Sequence, residues 1–237
     1  MTLSPDEARR YARHLVLKDI GGAGQQKLKA VRVLVIGAGG LGSPVIAYLA
    51  AAGVGTVGVV DDDQVALSNL QRQIVHDGAA IGLGKATSAG QFVARLNDTV
   101  RFVAHEVRLD GGNGRTLFQD YDIIADGSDN FATHRLAAET AATLGKPLVA
   151  GGVMMWSGQL TVYLPGGKGF ADLYPAAPEN EAMQSCEAVG VLGAVTGVVG
   201  TLMAVEAIKL ITGAGTPLAG RLLLYDGRAA TFTTIEY

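Results

Sequence analysis

The chain has a single cysteine, Cys186, in 237 residues. One thiol forms no internal disulfide and completes no structural zinc site, so a disulfide-stapled secreted fold is excluded and a reducing compartment fits best. An excess of charge of one sign is also missing. Lys and Arg number 19 against 22 Asp and Glu, a net −3, with the basic residues scattered, which speaks against a nucleic-acid or anionic-membrane partner. Charged residues make up 17% but apolar residues 49%, too apolar for a disordered chain and enough for a core. Met1 to Arg10 has no apolar stretch behind its charges; no export signal is expected, and a cytoplasmic location is.

Long apolar runs are equally scarce. Ala188 to Val205 is uncharged and close to the minimum length of a membrane span. Gly190, Gly193, Gly197 and Gly200 recur in it at three- and four-residue spacing, and Glu206 and Lys209 continue it amphipathically. A buried helix approaching its neighbour closely is expected, with no integral membrane span.

Ser4-Pro5-Asp6-Glu7 reads as an N-cap, a first-turn proline and a capping-box glutamate, opening a helix to about Lys18. Gly21 to Gly24 reads as the end of that helix. From Arg32, short β-branched runs alternate with helical stretches as far as Pro147–Ala150, the pattern of a parallel, doubly wound sheet. Gln159 to Leu164 follows too closely for a helical crossover, so it should pair antiparallel. Pro165 to Ala182 reads as a long loop, and two runs around Asp226-Gly227-Arg228 as a closing hairpin. The expected fold is α/β, a Rossmann-type, mostly parallel sheet with helices on both faces, extended by antiparallel strands in the C-terminal third. Residues 1–30 are a helical arm, 31–152 the nucleotide-binding region, and 153–237 the antiparallel extension, crossover loop and C-terminal helix and hairpin of one structural domain.

Between a strand and a helix lies Gly37-Ala38-Gly39-Gly40-Leu41-Gly42, a G-x-G-x-x-G loop followed by Asp61. Glycines Gly37, Gly39, Gly40 and Gly42 let backbone approach phosphate, the helix N-terminus offers bare N–H groups, and Asp61 can accept from ribose hydroxyls. The loop alone does not separate ATP from NAD or FAD, so an NAD(P)-dependent oxidoreductase stays open here.

Asp61-Asp62-Asp63-Gln64-Val65-Ala66-Leu67-Ser68-Asn69-Leu70-Gln71-Arg72-Gln73 closely resembles the D-x-D-x-V-x-x-S-N-L-x-R-Q signature of the MoeB/ThiF/HesA family. Arg10 to His14, Gly84-Lys85, Asp126 to Thr133 and Ser185 to Val191 extend the resemblance in the same order. It implies ATP- and Mg²⁺-dependent adenylation of the C-terminal glycine of a ubiquitin-like sulfur carrier ending in Gly-Gly, of ThiS or MoaD type. The residue chemistry agrees. A carboxylate attacking the α-phosphorus needs no general base, so cations and a metal suffice. Arg72 and Lys85 suit a phosphate clamp, and Asp129 suits Mg²⁺ as a hard oxygen ligand. The resemblance further implies that Asn69 contacts phosphate, Asp61 holds ribose, Gly40 lies near the α-phosphate, and Arg13 reaches a partner's site across a homodimer.

Two departures stand out. The family's paired C-x-x-C zinc ligands are missing; Ala171 and Tyr174 occupy one pair's place, so no structural zinc is expected and the order of the Pro165 to Ala182 loop is in question. No rhodanese-like domain follows, which implies a separate sulfur donor, a cysteine desulfurase or rhodanese-like protein. Cys186 matches a family cysteine that in some members bonds the carrier or its sulfur; packing is the alternative. His14, His76, His105 and His134 lack metal-ligand spacing and read as structural or surface groups. Asp126 reads equally as site wall or strand-end cap. A catalytically inactive scaffold that binds a carrier is the remaining alternative.

Overall fold

The computed structural model of the protein describes residues 2–175 and 189–237. Helix α1 (Pro5–Arg10) opens with a complete capping box: Ser4 Oγ accepts from Glu7 N, and the Glu7 carboxylate accepts from Ser4 N. The helix expected to reach Lys18 is split, because Tyr11 buries its ring and turns the backbone before α2 (Ala12–Leu15). A second difference is α3 (Gly21–Ala30), where the glycines read as a break form a first helical turn. Packing outweighs propensity there. A Cβ on Gly24 would meet Ile20 Cγ2 at 3.0 Å, while Gln25 and Leu28 are fully buried, offsetting a helix cost of roughly 1 kcal/mol per glycine.

The chain then alternates through β1 (Arg32–Ile36), α4 (Gly42–Ala51), β2 (Thr56–Val60), α5 (Lys85–Leu96), β3 (Arg101–His105), α6 (Gly114–Gln119), β4 (Ile123–Asp126), α7 (Phe131–Thr143) and β5 (Leu148–Met154). It continues as β6 (Ser157–Tyr163), α8 (Phe170–Leu173), α9 (Gly193–Thr212), β7 (Arg221–Asp226) and β8 (Thr231–Glu236). All eight strands form one sheet in the order β3-β2-β1-β4-β5-β6-β7-β8. The first five are parallel and the rest antiparallel, the expected α/β architecture. Strand β1 is apolar at successive positions because both its faces are covered: Val33 and Val35 join one core, Leu34 and Ile36 the other. Strand order reverses where β2 and β4 flank β1, which opens a crevice beyond the carboxyl ends of β1 and β4.

Helix α9 is long and apolar enough to cross a membrane, yet half of its apolar window is buried against this fold. A Cβ on Gly200 would lie 2.4 Å from Pro44 Cγ, and one on Gly193 2.4 Å from Gln71 O, whereas Gly197 faces open space. The expected close approach thus holds at Gly193 and Gly200. Glu206, read as part of an amphipathic continuation, is instead buried; it pairs with Lys209 Nζ at 2.5 Å and accepts from Leu218 N at 2.9 Å, which satisfies its charge.

Candidate functional site

The crevice is a cavity of about 740 Å³, within the range of small-molecule sites. Gly37 starts the loop in the left-handed region (φ +85°), donating its N–H to Val60 O at 2.8 Å. Gly37, Gly39 and Gly40 line the cavity. Among the described residues the N–H groups of Gly39 and Gly40 find no acceptor, as a phosphate cradle requires. Gly42 does not line it: a Cβ there would fall 1.8 Å from Gly37 O, so Gly42 closes the turn instead of facing a ligand.

Asp61, Asp63, Arg72, Lys85 and Asp129 reach the same cavity from three separate segments. Asp61 accepts from Ala38 N at 2.7 Å and Asp63 N at 2.9 Å, which ties the end of β2 to the glycine loop. Burial pushes its pKa up against the pull of Lys85 and these N–H groups. Lys85, 7% exposed, pairs with Asp63 Oδ2 at 2.8 Å, and Arg72 donates to Ser68 O at 3.0 Å. Asp129 is exposed, its one hydrogen bond among the described residues a long 3.5 Å contact with Asn130. Asn69 does not line the cavity; its Oδ1 caps a short turn by accepting from Ala66 N. Arg13 is exposed on α2, also away from the cavity. Cys186 lies outside the described residues.

Four features were not singled out from sequence. Gln73 lines the cavity with Oε1 buried and without a partner, an orphan acceptor that a ligand donor could satisfy. His76 spans Ser88 Oγ at 2.8 Å and Ala38 O at 3.0 Å; the carbonyl accepts, so Nε2 carries the proton and fixes the loop from behind. Burial lowers its pKa, keeping it neutral. His134 bonds Asp126, which is fully buried at the end of β4 and outside the cavity lining, the strand-end role. Lastly, Phe131, Phe170 and Tyr174 form an aromatic cluster on the cavity wall, with centroids 4.9–5.4 Å apart. Tyr174 OH also accepts from Gln159 Nε2 at 2.8 Å. Ala171 offers no metal ligand and Tyr174 no thiolate, so these two residues do not fit a thiolate zinc; ring packing of Phe170 on Phe131 joins α8 to α7. Gln73 had a sequence signal inside the long signature, and Phe131 one inside the Asp126 to Thr133 stretch.

The ThiF family model matches residues 11–237. The chain belongs to the ThiF family. It is 49% identical to "Probable adenylyltransferase/sulfurtransferase MoeZ" of Mycobacterium tuberculosis over 98% of this chain and 61% of that protein. To "SAMP-activating enzyme E1" of Haloferax volcanii it is 45% identical over 100% of this chain and 88% of the relative. With "Adenylyltransferase and sulfurtransferase MOCS3" of Anopheles gambiae the match is 45%, covering 99% of this chain and 53% of the relative. The chain therefore spans about half to three-fifths of the length of MOCS3 and MoeZ. Among solved structures, E. coli MccB with ATP superposes with a TM-score of 0.84 at 20% identity, covering 96% of this chain and 71% of MccB, a likeness of fold.

Proposed function

We propose that this ThiF-family protein uses ATP to adenylate the C-terminal glycine of a small ubiquitin-like sulfur carrier ending in Gly-Gly, releasing pyrophosphate. The carrying observation is the convergence of bare glycine-loop N–H groups, Arg72, Lys85 and Asp129 on one cavity. The carrier carboxylate is ionised at neutral pH; its oxygen attacks the α-phosphorus as the bond to the pyrophosphate oxygen breaks. The protein supplies alignment and charge: Gly39 and Gly40 N–H groups toward phosphoryl oxygens, Arg72 as a bidentate donor, Lys85 as a point charge on leaving its pair with Asp63. Asp61 accepts from ribose. Asp129 is exposed and nearly unengaged, a donor suited to Mg²⁺, which when bound would neutralise phosphate charge. Asn69 would turn to phosphate on nucleotide binding.

The test is carrier-dependent exchange of labelled pyrophosphate into ATP. An NAD(P)-dependent oxidoreductase would bind nicotinamide cofactor and show none; an inactive scaffold would bind a carrier with neither. Cys186→Ala should leave exchange at the wild-type rate, since a thiol could act only after the acyl-adenylate exists. Exchange lost in a folded Cys186→Ala variant would place the cysteine earlier.

The active form is proposed to be a homodimer, with α9 near the interface and Arg13 reaching the partner's cavity. Open space at Gly197 and the exposed Val205 on α9 support this, as does Arg13's distance from its own site. Sedimentation at micromolar concentration should give the dimer mass, and Arg13→Ala should lower exchange. A monomer with full activity would refute the arrangement.

A further inference from the structure

His134 sits in the first turn of α7, on the cavity wall and outside the phosphate clamp described above. Its Nδ1 is 2.7 Å from Asp126 Oδ2, and a carboxylate accepts, so Nδ1 donates. Asp126 is fully buried, its other oxygen receiving Ser128 N at 3.0 Å and Ser128 Oγ at 2.7 Å. A buried carboxylate requires a compensating charge, and His134 is its ion-pair partner among the described residues. The opposite edge of the ring is free. Nε2 makes no hydrogen bond among the described residues, while the side chain keeps 21% exposure.

The pair stands beside the glycine loop. Asp126 is in register with Ile36, the residue before Gly37, and Gly127 N donates to Ile36 O at 3.0 Å. A Cβ on Gly37 would touch Gly127 O at 3.3 Å. The two loops therefore leave the same sheet end in contact, and His134, in the first turn of the helix that follows the second loop, lines the same cavity as the glycine loop.

We propose that His134 is a nucleotide-binding residue, donating from Nε2 to a phosphoryl oxygen while Asp126 holds the ring through Nδ1. This rests on the nucleotide reading above. Burial by itself would lower the His134 pKa, but the charge and hydrogen bond of Asp126, helped by Asp129, turn the net shift upward. Asp126 and Asp129 are the charges that act on it; elsewhere the cavity wall carries Asp61, Asp62, Asp63, Arg72, Lys85 and Arg108, and Tyr163 of β6 and Tyr174 after α8, both kept protonated by burial. The imidazolium therefore persists above the ordinary histidine range and is lost at higher pH.

Calorimetry at constant Mg²⁺ between about pH 6.5 and about pH 8.5 tests this. Wild-type affinity for ATP should fall about tenfold more than that of H134Q over this range, the cost of one charge-assisted hydrogen bond. Adenosine should show no such difference. H134Q should bind ATP weakly and, apart from the titration of ATP itself, evenly; H134R should bind tightly across the range. If H134Q fails to fold, the wild-type imidazole ¹⁵N resonances decide, since Nε2 must shift on saturation with ATP. A wild-type pH profile matching H134Q, or an Nε2 unmoved by bound ATP, overturns the inference. A wild type that binds no ATP at any pH fails the nucleotide reading itself, and this inference with it.

Discussion

Asp129→Ala is expected to lower carrier-dependent pyrophosphate exchange by about 10²–10³-fold or more while the protein stays folded. The carboxylate is exposed, and its single long contact to Asn130 leaves little stability to lose; surface changes of this kind usually fall within about 0.5 kcal/mol. The chemistry loses far more. If Asp129 holds Mg²⁺, removing it strips charge stabilisation from the attacked triphosphate, and electrostatic groups of this type are worth roughly 3–4 kcal/mol in the transition state. The same variant should lose the Mg²⁺ dependence of ATP binding. Near-normal exchange by a folded Asp129→Ala protein would refute the metal assignment.

The glycine loop gives the second large effect, and its glycines should separate by role. Gly42→Ala places a Cβ 1.8 Å from Gly37 O and 2.9 Å from Gly37 C. No rotamer relieves a clash with backbone, so the loop must move, at a cost of about 1–3 kcal/mol or more. Thermal stability and ATP binding should fall together. Gly39→Ala meets nothing closer than Gln73 Nε2 at 3.8 Å. Its stability should be unchanged, while the methyl group occupies space a phosphate needs and ATP binding is lost. Calorimetry with thermal melts checks both. A destabilised Gly39→Ala, or a Gly42→Ala protein that melts and binds like wild type, would contradict this division.

Much of this protein was determined locally. Strand β1, the glycine loop and α4 follow from a β-branched run, a glycine spacing and an apolar stretch within twenty residues, because backbone preference acts between near neighbours. The capping box at Ser4 and Glu7 is likewise complete in four residues. The long signature from Asp61 to Gln73 carried Arg72, the Gly84-Lys85 and Asp126 to Thr133 stretches carried Lys85 and Asp129, and the closeness of Gln159 to β5 carried the antiparallel turn. Tertiary structure decided the rest. Gly21 to Gly24 became helical because the core pays more for a close approach than glycine loses in propensity. Gly42 serves Gly37, and not a ligand, because the loop folds back on itself. His134 could be read as a surface group only until β4 buried Asp126 beside it: the need for a counter-charge arises from desolvation, and desolvation is a property of the packed sheet rather than of any stretch of chain.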